Sequence, residues 1–329
     1  MAGKTNIRSG FDYAGYFGDG LLLNKLQMLP SEQTWHSRPP RAPRRVPVLL
    51  YLGCNILRTG HLVRTVSDVF GLVSRATGQP FEMVGGPAYC CGIVHHREGD
   101  ADLAGNISAN TLRYFEQFQP ERVVMWCPSC IYFYDEVVQA DVPYKVQHVS
   151  EYLLEHLELL PERRPRAGRV ALHYHNDSEP RRRERDAVRG LLAAVPGIEL
   201  LDPGCEDGWG RSCTWPATPA AQAVWRARVA RQLEAAVTQG AQTLATLYHG
   251  CQRLLCGYEA DSPLTIEHYL TVFGRALGIE HEDQYKRYLK LGDTDAVLAE
   301  MAPCMAAHDL DERRVRDVVQ RHFAGGKGI

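Results

Sequence analysis

VPVLLYLGC, residues 46–54, is a run of apolar residues that ends on Gly53 and Cys54. The same grammar recurs twice. PFEMVGGPAYCCG (80–92) passes from a strand-like segment through Gly85, Gly86 and Pro87 into Cys90, Cys91 and Gly92. RVVMWCPSC (122–130) passes directly into Cys127, Pro128, Ser129 and Cys130. The five cysteines read C-x35-C-C-x35-C-x-x-C, and each gap has the length of about one βα unit. In an open α/β sheet, the loops after parallel strands gather at the carboxyl edge, where ligands bind. The spacing therefore predicts that five thiols from three loops meet in one place.

The rest of the chain extends this pattern. Helical periodicity is clear at 60–77 (Leu62, Val63, Val66, Val69, Phe70, Val73) and at 101–118 (Leu103, Ile107, Leu112, Phe115). Alternation resumes after a connector at 161–168, with strands expected at 169–174, 197–201 and 242–247 and helices at 180–194 and 217–239. The end of the chain reads as helices near 264–276, 281–291, 294–301 and 311–322. Expected divisions are an irregular N-terminal arm at 1–45, a first domain at 46–160, a second at 169–260 and a helical C-terminal segment at 261–329. The arm is rich in early glycine and carries Pro39, Pro40 and Pro43. Its Phe11, Tyr13, Tyr16, Phe17 and Leu21–Leu23 are costly to leave in water and suggest docking.

The two halves form a degenerate repeat. Leu50–Cys54 aligns with Leu172–Ser178, Cys90-Cys91-Gly92 with Glu206-Asp207-Gly208, and Trp126–Cys130 with Leu247–Cys251. Of the cysteine positions, the second half keeps only Cys251.

The 329 residues carry 45% hydrophobic and 23% charged side chains and a net charge of −2. This composition fits a globular protein with a large core and gives no reason to expect a nucleic-acid partner. Residues 1–20 have no apolar signal-like core, and the longest apolar run is too short to span a bilayer. The expected setting is the cytoplasm, where ten cysteines point to metal or catalysis rather than disulfides.

Thiolates are soft anionic ligands for iron, iron–sulfur clusters and zinc. Five of them, two adjacent, exceed the four that a tetrahedral ion needs. Count and adjacency favour an iron–sulfur core over zinc. The motif resembles the cysteine-rich CCG domain of the heterodisulfide reductase family, which includes the iron–sulfur subunits of glycolate and lactate oxidation systems. The resemblance implies two tandem α/β CCG-type domains with parallel sheets, followed here by the helical segment. It also implies a non-cubane [4Fe-4S] cluster held by Cys54, Cys90, Cys91, Cys127 and Cys130. Ser178, Glu206, Asp207 and Tyr248 stand where a second domain would need thiolates, so a second such cluster is not expected. The mixture is closest to the divergent CCG-bearing subunit of the bacterial sulfur-oxidising heterodisulfide reductase-like complex. That resemblance implies sulfur substrates, including lipoate-bound sulfur on a carrier protein, and flavoprotein and iron–sulfur partner subunits.

Further candidates sit around these ligands. His95 and His96 are placed to tune a cluster or move protons. Cys251 and His249 are candidates for substrate contact. Cys251 with His173, His175, Cys205, Glu206 and Asp207 is a candidate mixed metal site, against the alternative that some of Cys205, Cys213, Cys251 and Cys256 are buried core thiols. Cys304 reads as structural, and Arg181, Arg182, Arg183 and Arg185 as a solvated face. Two rival functions remain open: an electron-relay or docking subunit with a structural cluster, and a zinc protein without redox chemistry.

Overall fold

A computed structural model describes residues 10–36, 40, 42–204, 210, 212–216 and 218–324. It contains two four-stranded parallel sheets. The first comprises β1 (Val48–Tyr51), β2 (Phe81–Val84), β3 (Arg122–Met125) and β4 (Lys145–His148) in the order β2-β1-β3-β4. The second comprises β5 (Gly168–His173), β6 (Ile198–Leu201), β7 (Thr243–Thr246) and β8 (Thr265–His268) in the order β6-β5-β7-β8. The two orders are the same, which is the repeat expressed as topology. β1 is buried along its whole length, as an unbroken apolar run in a central parallel strand should be.

The chain divides into two compact units that interleave in sequence. The first holds the described residues within Met1–Gly60, Thr77–Val149 and Glu300–Val318. The second holds His61–Ala76, Ser150–Ala299 and the described residues from Val319 onward. Helix Gly60–Thr77 thus leaves the sequence neighbourhood of β1 and packs in the second unit. There Phe70 stacks on Tyr152 at 5.0 Å, and Asp68 binds His281 at 2.8 Å. The core of the first unit includes Leu49, Tyr51, Phe115, Val123, Met125 and Phe133, together with Cys91, Cys127 and Cys130.

Three expectations need correction. Residues 13–25 of the supposedly irregular arm form the helix Tyr13–Lys25, capped by the Asp12 carboxylate, which accepts from the Gly15 N–H at 2.8 Å. Residues 264–276 are not one helix: β8 pairs in parallel with β7 and only Tyr269–Ala276 is helical. Arg181 is no part of a solvated face, because it is fully buried in an ion pair with Glu184. Among the described residues, no helix is long and apolar enough to cross a membrane.

Candidate metal centres

The first centre is built by the carboxyl ends of three adjacent strands. Cys54 follows β1, Cys90 and Cys91 follow β2 after the turn Pro87–Tyr89, and Cys127 and Cys130 follow β3. Because β1 lies between β2 and β3 in a parallel sheet, all three loops leave the same edge. Side-chain contacts of hydrogen-bonding range join Cys54 to Cys90, Cys90 to Cys91, Cys91 to Cys130 and Cys130 to Cys127. The five predicted thiols are therefore linked in one continuous chain, and all are buried and without disulfides.

Two glycines make this convergence possible. Gly53 has φ +70°, and a Cβ there would lie 3.2 Å from both Cys127 Cβ and Cys130 Sγ. It lets Cys127 and Cys130 pack closely on the backbone at 53 and takes a conformation that side chains disfavour. Gly92, the glycine of the CCG triplet, has φ +96°, and a Cβ would come within 2.4 Å of the Ala104 carbonyl oxygen. The helix Ala101–Glu116 can therefore press against the Cys90–Cys91 turn, and Thr111 Oγ1 donates to the Cys90 carbonyl at 2.6 Å.

The electrostatics of the five thiols diverge. Hydrogen bonding from Cys130, followed by the backbone amides of Cys130 and Ser129, brings Cys127 down to about 7 despite burial. These amides belong to the start of helix Pro128–Tyr132, where N–H groups point outward and favour negative charge. Burial pushes Cys91 up, but bonds from Cys130 and Cys90 more than reverse this and bring it to about 6. Cys54 is held well above the usual thiol value, first by its bond to Cys90 and then by burial. Cys130 is likewise held up, first by its bonds to Cys127 and Cys91. The protein alone does not stabilise five adjacent thiolates. A cationic, sulfur-loving core would. An iron–sulfur group fits the donor set, which is soft and offers five sulfurs, two of them adjacent.

His95 and His96 lie on the short helix Ile93–Arg97. The His95 ring is buried and stacks on Tyr13 at 4.1 Å, and burial lowers its pKa. His96 packs against Phe133 at 5.5 Å. These ring contacts are to aromatic side chains rather than to the thiols. Tyr51, unremarked in the sequence, stands closer: its hydroxyl lies 3.6 Å from Cys130 Sγ and donates to the Tyr89 carbonyl at 2.6 Å. Burial, followed by the charge of Cys130, keeps this phenol protonated.

The second half holds a different group. The donor atoms of His173, His175, Cys213 and Cys251 all lie within 4.8 Å of one another, and all four residues are buried. The sequence groups His173, His175 and Cys251 and leaves Cys213 outside that set; the fold brings it to the other three. Cys205, Glu206 and Asp207, the other expected members, lie outside the described residues. His249 is buried at the start of helix His249–Leu255. Burial raises the Cys251 pKa, but contacts with Cys213 and the two imidazoles leave it well below the usual thiol value. Tyr248, at the repeat position of Cys127, packs against the His175 ring at 5.6 Å. Its hydroxyl joins the buried Arg181–Glu184 pair, accepting from Arg181 at 3.1 Å and donating to the Glu184 carboxylate.

Comparison with known proteins bears on the first centre. Residues 48–133 match the cysteine-rich domain family CCG. The CCG match spans all five thiols and stops before β4, so the second half stands outside it. No curated protein matches the chain. Among solved structures, it is similar to a protein described as an Asp/Glu racemase from Yersinia pestis. Identity is 11% over 70% of this chain and 97% of that one, with a TM-score of 0.32. It is also similar to a glutamate racemase isoform from Bacillus anthracis, with 10% identity over 71% and 81% of the two chains and a TM-score of 0.30. Both scores are too low to carry an argument. The CCG domain and the His/Cys group together point to a metal-binding redox subunit.

Proposed function

We propose that the chain is the iron–sulfur subunit of a heterodisulfide reductase-like complex that acts on thiol, disulfide or persulfide sulfur. The observation that carries the reading is the unbroken chain of contacts from Cys54 through Cys90, Cys91 and Cys130 to Cys127. No single tetrahedral ion uses five thiolates, two of them adjacent, whereas a non-cubane [4Fe-4S] cluster can. When bound, such a cluster supplies one-electron exchange and an iron able to take a substrate sulfur. Cys54, Cys90, Cys91, Cys127 and Cys130 hold it in this reading. Gly53 lets Cys127 and Cys130 approach closely, the first amides of helix Pro128–Tyr132 offset its charge, and Tyr51 keeps a neutral phenol beside the Cys130 sulfur. Flavoprotein and iron–sulfur partner subunits would carry the electrons, and a lipoate-bearing carrier protein is the candidate donor of substrate sulfur. His95 and His96 remain candidate proton carriers.

The test is metal content after anaerobic purification and reconstitution. The expected result is about four irons and four acid-labile sulfides per chain, as the cluster type requires, with Cys90→Ser and Cys91→Ser each losing most of the iron. Iron near zero in the unaltered protein overturns the reading.

A further inference from the structure

The repeat places three of the four donors at the positions that Tyr51, Gly53 and Cys130 hold in the first half. In the first sheet Tyr51 pairs with Met125, and the next amide, Trp126 N–H, donates to the Tyr51 carbonyl at 2.9 Å. In the second sheet His173 pairs with Thr246, and Leu247 N–H donates to the His173 carbonyl at 3.0 Å. His173 therefore occupies the position of Tyr51, His175 that of Gly53, and Cys251 that of Cys130. Where the first half has a glycine at 53, the second has an imidazole, and a second imidazole takes the place of Tyr51.

We propose that His173, His175, Cys213 and Cys251 bind one Zn²⁺ in a closed, redox-inert tetrahedral site. The imidazoles are already oriented for it. His175 Nδ1 lies 2.7 Å from the Gly210 carbonyl oxygen, which can only accept, so Nδ1 carries the proton and Nε2 presents its lone pair. His173 Nδ1 makes the same kind of bond to Gln232 Oε1 at 2.6 Å. Zinc-ligating histidines are held this way, with the outer nitrogen donating to a carbonyl and the inner one facing the metal. His173 Nε2 lies 3.2 Å from Cys213 Sγ, and His175 Nε2 lies 3.3 Å from Cys251 Sγ and 3.9 Å from Cys213 Sγ. Bonds of ~2.0 Å to nitrogen and ~2.3 Å to sulfur put tetrahedral edges at roughly 3.3–3.8 Å. The donor spacings bracket that range. The Cys213 amide donates to Cys251 Sγ at 3.5 Å, which supports the anionic sulfur.

The same distances exclude the other cofactor that two histidines and two cysteines can hold. A [2Fe–2S] centre of that type puts both histidines on one iron and both cysteines on the other. Here each histidine lies against a cysteine, as around one ion. A mononuclear S₂N₂ tetrahedron is the geometry of zinc. Four protein ligands leave no open position, so the ion is structural. It ties the loop bearing Cys213 to the end of β5 and to helix His249–Leu255.

The experiment is elemental analysis and Co²⁺ substitution on the full chain. The proposal predicts one zinc per chain in addition to any iron, and strong tetrahedral Co²⁺ ligand-field bands with thiolate-to-cobalt charge transfer. Cys213→Ala and His175→Ala should lose the zinc and keep the iron; Cys91→Ser should do the reverse. Gln232→Leu leaves all four ligands in place and should weaken zinc binding about 10- to 100-fold in chelator competition. Absence of zinc and of the cobalt bands, iron in their place, or Gln232→Leu binding zinc as tightly as the unaltered chain overturns the proposal. Because the iron depends on separate residues, failure of the first centre would leave the zinc and cobalt results unchanged.

Discussion

At the scale of single residues, Gly53 and His175 show what the repeat has exchanged. Gly53→Ala would force a methyl group to 3.2 Å from Cys127 Cβ and Cys130 Sγ on a backbone at φ +70°. The conformation alone costs roughly 1–2 kcal/mol, and the methyl crowds two of the five thiols. The expected outcome is a folded protein with a slightly lower melting temperature and most of its iron lost on anaerobic reconstitution. Unchanged iron content would show that this close approach is not needed. The five thiols were legible because cysteine is rare, and the equal gaps repeat the βα period. His173, His175 and Cys251 were legible as candidates by alignment with the first half. Cys213 was not, since it lies in a loop that obeys neither helix nor strand periodicity. Only the fold shows that this loop returns to β5.

At the scale of elements, the misses have separate causes. Helix Tyr13–Lys25 was hidden by its glycines, which usually signal irregular chain. Gly20 is there for packing: a Cβ would meet the Arg58 guanidinium at 3.2 Å. That guanidinium lies over the Tyr16 ring at 4.6 Å and donates to the Tyr16 carbonyl at 3.0 Å. Strand β8 was hidden because Thr265–His268 is short and runs straight into helix Tyr269–Ala276, so the apolar pattern reads as continuous. Glu259 is one of the residues that fixes this strand. Its carboxylate accepts from the Ile266 amide at 2.6 Å and binds Lys286 and Lys290, each at 2.7 Å. Burial raises its pKa, but the two lysines outweigh it and hold the group below its ordinary value of 4.5. A folded value below the unfolded one adds stability above the unfolded value, and that share is lost as pH falls through the folded one. Glu259→Gln should therefore lower the urea midpoint near neutral pH. It should also flatten the fall in midpoint below about pH 4.5. A variant with the parent's acid slope would rule out this carboxylate as its source.

At the scale of the whole molecule, the sequence suggests two consecutive domains, whereas packing joins His61–Ala76 to the second unit. The periodicity of helix Gly60–Thr77 identified its apolar face without showing where that face goes. Leu62, Val63, Val66, Val69, Phe70 and Val73 are all buried. Phe70 lies on Tyr152, and Gly274 allows Thr65 to approach, since a Cβ there would stand 3.2 Å from its methyl. At roughly 1.5–3 kcal/mol for each large apolar side chain, the face contributes on the order of 10 kcal/mol. This is comparable with the net stability of about 5–15 kcal/mol that a domain possesses. A chain that starts at residue 150 and keeps every later residue contains the rest of the second unit, including all four donors of its His/Cys group. It should nevertheless aggregate or unfold without cooperativity, because the surface that receives this helix is left in water. Adding a peptide of residues 60–77 should restore a cooperative thermal transition, visible by circular dichroism. The same peptide with Val66 and Phe70 changed to Ser should not. If the truncated chain unfolds cooperatively on its own at the parent's temperature, the helix is an accessory, and the second unit is specified by contiguous sequence after all.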